Sequence, residues 1–274
     1  MLGKRLNYEL KSRMNYLVGV SIAVIILSVL ISVINYRDME SEYGELISGV
    51  ILAFSYMAIC GAVFFLLTQT INRFNVTFLG NEGYLVHTFP IKGTTHIIAD
   101  FIADFIQVII TIVLLAGCYF ISRMSNEVTR GELRHNFENA MKNFYISGSD
   151  KVDVMIYAIL FFLTIVTVVL SVIWVIKLGI NFSRNMNSSD NRTVPTVITI
   201  LFVLVGVVLS ILVINYAMKY RYLGIQEKVA HIKDATLTDI AIESTLIVLI
   251  GHIIISVVAV LMNAHIINKK LNLQ

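Results

Sequence analysis

Proline occurs only twice in the 274 residues, at Pro90 and Pro195, and cysteine only twice, at Cys60 and Cys118. With so little proline, long stretches can run as uninterrupted helix, since no residue in them lacks an amide donor. Both cysteines sit inside apolar runs, where a thiol behaves as an inert packing residue, and two are too few for a disulfide framework. Charge is scarce too: 14% of residues are Asp, Glu, Lys or Arg, against about 25% in soluble domains. The formal charge of +3, with no basic run interleaved with aromatics, gives no basis for nucleic acid as a partner.

The catalytic signatures are missing as well. No GxxxxGK followed by Ser or Thr is present, and Lys92-Gly93-Thr94 has the right letters in the wrong order for a phosphate cradle. There is no HExxH, no GxSxG elbow and no Cys/His pair at metal-ligand spacing. The chain is therefore expected not to be an enzyme and to bind no cofactor or metal itself. If ATP drives it, ATP and Mg sit on another polypeptide.

What is abundant is apolar: 57% of residues are hydrophobic, with a mean hydropathy of +0.80. One soluble core could not hide that surface, so the expectation is an all-α integral membrane protein. Continuous Val/Ile/Leu runs argue against the alternation of a β-barrel. Crossing the hydrocarbon takes about 20 helical residues. Six stretches qualify: Tyr16–Tyr36, Leu46–Asn72, Phe101–Ile121, Val154–Ile176, Val194–Met218 and Ser244–Asn268. They form one transmembrane domain over residues 1–274, without internal repeat. The segment 122–153 is too small for a soluble domain and is expected to hold a short outer helix around Glu132–Phe144.

Orientation follows from the flanks. Lys4, Arg5, Lys11 and Arg13 precede the first span against a single acid, Glu9. Asp38, Glu40, Glu42 and Glu45 follow it with one base, Arg37. Basic flanks stay inside, so both termini are expected on the cytoplasmic side of the membrane. Trp174, just before Lys177, reads as an interfacial anchor at the inner end of the fourth span. The opening MLGKRLNYELKSRMNY places Leu2, Leu6, Leu10 and Met14 on one line and its bases off it. That pattern predicts an amphipathic helix lying in the inner interface before the chain turns into the membrane, where it could brace a neighbouring subunit.

Within the spans, Asp100 and Asp104 are spaced i, i+4 and share a face of the third with Gln107. Intramembrane acids are functional candidates, so these three, with His252 of the sixth span, form a candidate substrate path or proton relay. An interhelical hydrogen bond or polar vestibule is the plainer alternative. Gly49, Ala53, Ala58 and Gly61 supply small residues along the second span for close helix contact. The Asn-x-Ser/Thr triplets at Asn75, Asn181, Asn187 and Asn191 fall in the inner loops and read as chance.

One connection is unusually rich. Residues 80–96, GNEGYLVHTFPIKGTTH, join the second and third spans and hold Gly83, Pro90, an acid, a base and two histidines. A short surface helix bounded by Gly83 and Pro90 fits here, with Tyr84, Leu85 and Phe89 embedded and Asn81, Glu82, His87 and Lys92 facing a partner. Gly83-Tyr84-Leu85 and Thr88-Phe89-Pro90 resemble the Gly-Tyr-Leu and Thr-Leu-Pro pair after the second span in ABC-2 type permeases of low-GC Gram-positive bacteria, with Phe89 in place of the leucine. The start MLGKRLNYELKS and the six-span layout are similar to the same family, and Asp100 departs from a position where lysine is common. The resemblance implies a permease subunit that dimerises, homo- or heteromerically, in the lipid bilayer and docks on separate ABC ATPase subunits. It also implies that residues 81–92 serve as the coupling helix. An ATP-driven exporter of an amphiphilic peptide, lipid-like compound or drug is the expected function. A regulatory scaffold, or an ion-coupled carrier using Asp100 and Asp104, are the alternatives.

Overall fold

The computed structural model describes residues 2–36, 42–79, 93–124, 131, 134–136, 138–139, 151–186, 193–229 and 237–271. Among them six long α-helices run in chain order: α1 (Leu2–Tyr36), α2 (Glu42–Phe74), α3 (Gly93–Met124), α4 (Lys151–Met186), α5 (Thr193–Val229) and α6 (Leu237–Leu271). A π-helical turn, Asn75–Leu79, continues α2. All six helices are long and apolar enough to cross a membrane. The all-α class expected from hydropathy is thus observed among the described residues, with six helices fit to cross a membrane.

Every helix overruns its hydropathy-defined span. A window of apolar residues registers the hydrocarbon thickness, whereas a helix continues wherever its backbone bonds are satisfied and no proline intervenes. At 35 residues, α1 is about 52 Å long, against about 30 Å of hydrocarbon. The expected interfacial helix is not a separate element: Leu2–Met14 are the first turns of α1, continuous with the span. Their facing is also unexpected. Leu2 and Met14 point outward, while Glu9 and Arg13 are buried together with Leu17, Val24, Ser28 and Ile31 further along the same face. The loop expected over 80–96 is shorter, since Gly93–His96 form the first turn of α3.

Packing divides the helices into two groups. In one, α1 packs on α2 and α3; in the other, α4, α5 and α6 pack mutually, α4 on α6 most extensively. Contacts of α3 with α6 and α4, and of α2 with α4, join the groups. Close approach of α5 depends on glycine: a Cβ on Gly206 would lie 2.6 Å from Val175, and one on Gly251 2.6 Å from Val213. A Cβ on Gly49 or Gly61 of α2 would meet nothing from another element within 4 Å. The small residues of the second span therefore do not serve helix contact at those two glycines within the chain.

Several contacts fix which helix ends lie together. Glu9 near the start of α1 approaches Arg73 at the end of α2. Thr94 at the start of α3 accepts a hydrogen bond from Asn268 at the end of α6. Phe182 late in α4 packs on Phe202 early in α5, with ring centroids 5.2 Å apart. This shared end, called here the N-terminal end, also holds much of the main hydrophobic cluster, including Phe74, Phe78, Ile97, Trp174 and Ile267.

Candidate functional site: a buried charge clasp

Four charged side chains meet inside the N-terminal end: Arg13 of α1, Asp100 and Asp104 of α3, and Lys177 of α4. All are at least 95% buried. The i, i+4 spacing stacks the two carboxylates on one face of α3, each with one oxygen toward α1 and the other toward α4. Arg13 Nη2 donates to Asp100 Oδ1, and Nη1 donates to Asp104 Oδ1 at 2.5 Å. Lys177 Nζ donates to Oδ2 of both aspartates, each at 2.6 Å. Each cation thus bridges both anions and each anion bridges both cations, so the ring is electrically balanced and all four carboxylate oxygens are engaged.

The planar guanidinium suits this task because its two terminal nitrogens diverge at a fixed angle, matching acceptors one helical turn apart. The ammonium of Lys177 also lies 4.7 Å from the Trp174 ring centroid and 5.1 Å from that of Phe74, a favourable place for a cation. Trp174 is fully buried and packs against Phe101 as well. It is not an interfacial anchor, because α4 continues past it to Met186 and carries it into the core.

Gln107 extends the ring to α2. It accepts from Arg13 Nη1 at 3.1 Å and donates to Thr70 Oγ1 at 2.7 Å and to the Leu66 carbonyl at 3.3 Å. A second, smaller ion group lies toward the start of α1, where Glu9 pairs with Arg5 at 2.5 Å and faces Arg73 at 3.9 Å. Between α1, α2 and α3, beside the clasp, is a cleft of about 170 Å³ lined in part by Arg13, Arg73 and Gln107.

The structure therefore brings together three of the four residues singled out for a substrate path, Asp100, Asp104 and Gln107. His252 stands apart, midway along α6, with Nδ1 3.0 Å from the Val248 carbonyl one turn back. Arg13 and Lys177 were missed as members of the site, being counted as flanking charges outside the hydropathy windows. The available signal was a balance: two acids well inside helix need two bases at the same depth. Asn181 is likewise inside α4 rather than in a loop, and donates to Asn263 Oδ1 at 3.0 Å. The coupling residues Asn81, Glu82, Gly83, Tyr84, Leu85, His87, Thr88, Phe89, Pro90 and Lys92 lie outside the described residues. Their two stems are described. Phe78 before them and His96 after them meet edge to face at 6.4 Å, and Phe78 packs on Phe74 at 5.0 Å.

Among the described residues no group of His, Cys, Asp or Glu could hold a metal ion. No family model, curated protein or solved structure matches the chain.

Proposed function

We propose that the chain is the membrane-spanning subunit of an ATP-driven exporter of the ABC-2 kind. It works as a dimer and receives force from separate ATPase subunits through residues 81–92 on the cytoplasmic side. The observation that carries this is the position of the clasp at the stems of that connection. Residues 80–92 are preceded by the π-helical turn of α2 and followed directly by α3. Within about three turns of those stems, Thr70 and Phe74 of α2 and Asp100 and Asp104 of α3 enter the network that also holds Arg13 and Lys177. A displacement delivered to the connection then moves α1, α2, α3 and the end of α4 as one unit, instead of being lost in independent helices.

The clasp itself suits transmission better than transport chemistry. An ion-coupled carrier needs a carboxylate that can exchange its partners for a proton or cation, whereas here both are saturated by two bases each. Purification of the chain from its native membrane tests the proposal. A nucleotide-hydrolysing subunit should come with the wild type and be lost with Glu82→Lys or His87→Glu, while the variants melt as the wild type does. Cargo flux that persists without any ATPase and stops in Asp104→Asn would establish the carrier instead.

A further inference from the structure

The cleft beside the clasp shares Arg13, Gln107 and Thr70 with it, and its remaining lining has no part in the clasp or the coupling connection. Two guanidinium groups, Arg13 and Arg73, line it with the amides of Gln69, Asn72 and Gln107. Ser12, Tyr16 and Thr70 add hydroxyls, and Val76 is the apolar exception. Among the described residues no carboxylate lines it, although Asp100, Asp104 and Glu9 are all nearby. Arg13 is only 4% exposed, and its Nε has no hydrogen-bond acceptor among the described residues. A buried guanidinium nitrogen left open beside a cleft with two cationic side chains and no carboxylate leaves a place for an anionic acceptor.

Size and depth narrow the class. A cavity of about 150 Å³ accommodates benzene, and a tetrahedral phosphate is smaller than that ring. The cleft, at about 170 Å³, therefore has room for it. Sharing the excess length of α1 between its two ends places Arg13 within about a turn of the hydrocarbon edge, where headgroup phosphates lie. The mouth is open at Tyr16, Asn72 and Val76, and outward-facing Met14 and Val18 on α1 offer an apolar track for acyl chains beside it. With both terminal nitrogens of Arg13 held by Asp100 and Asp104, its Nε is the donor left for an oxygen of such an anion.

We propose that the cleft between α1, α2 and α3 binds a phosphate-bearing anion, supplied either by an anionic lipid headgroup or by free phosphate. A choline headgroup is a poor fit, since its cation would find guanidinium groups and no acid. The site stands whether or not the chain exports anything, and its test uses the chain alone. Full-length protein in nanodiscs of mixed phosphatidylglycerol and phosphatidylcholine is released and its retained lipids weighed by native mass spectrometry. A parallel arm follows melting in phosphatidylcholine discs with added inorganic phosphate. Retention should favour phosphatidylglycerol, fall by about tenfold in Asn72→Asp and hold or rise in Asn72→Lys, a pair of opposite effects that misfolding cannot produce. That result identifies the lipid as the source. A rise in melting temperature with phosphate alone, abolished by Asn72→Asp, identifies the soluble anion. Equal retention of the two lipids with no effect of phosphate, or an Asn72→Asp protein indistinguishable from wild type, overturns the site.

Discussion

Asp104 holds two cations at once, and that doubles what its removal exposes. In Asp104→Asn, Arg13 and Lys177 would remain buried with one carboxylate between them. Breaking a buried pair by deleting one partner typically costs about 3–5 kcal/mol, because the orphaned charge has no water to return to. The variant should lose about that much stability in denaturant unfolding of the purified protein. A neutral interhelical hydrogen bond in a membrane protein is worth far less, about 0.6 kcal/mol on average. The size of the loss therefore separates a clasp from an ordinary polar contact. Adding Lys177→Met to Asp104→Asn deletes one charge of each sign and leaves Arg13 facing Asp100. The double variant should be more stable than the sum of the single losses implies, by at least about 1 kcal/mol. Strict additivity would show that the four groups do not act as a ring.

At the level of helices, the tightest contacts belong to α5, and they are made by what is missing. A methyl on Gly206 would sit 2.6 Å from Val175 Cγ1, and a β-branched side chain has little freedom to yield. Gly206→Ala should cost about 1–3 kcal/mol by overpacking. Gly61→Ala, with nothing within 4 Å, should instead gain up to about 1 kcal/mol from helix propensity. Thermal melts of the two variants, moving in opposite directions, check the α4–α5 packing; equal shifts would contradict it. The sequence could not distinguish these glycines, since all sit in apolar runs and close approach depends on which face meets a neighbour. The helices themselves were legible because each contains enough apolar residues to span the hydrocarbon. Their ends were not: Gly93–Ala99 and Lys177–Met186 are helical through packing and continuity, which a hydropathy window does not register.

Across the whole molecule, the clasp is where the two helix groups are joined by charge, Lys177 reaching from the second group to two acids of the first. Half of it was visible in the sequence, as the spacing of Asp100, Asp104 and Gln107 declared a polar face. The other half was masked by a rule of thumb. Arg13 counts as an inner flank for orientation and Lys177 marks the inner end of the fourth span, and a base near a helix end reads the same whether it meets water or a buried acid. The line of Arg5, Glu9 and Arg13 turns inward where α1 packs on α2 and α3, with Leu2 and Met14 left facing outward. Both readings keep the charge at one end of the bundle, which is the end where the proposed force enters.

Whether force enters there is decided by one cross-link. With His87→Cys in a chain otherwise free of cysteine, a short bifunctional reagent is applied to inside-out membrane vesicles and the products are separated by mass. A nucleotide-dependent adduct between position 87 and a nucleotide-hydrolysing subunit is the expected product. Labelling of position 87 only from the opposite face of the membrane, or adducts to that subunit only from another inner loop, would contradict it.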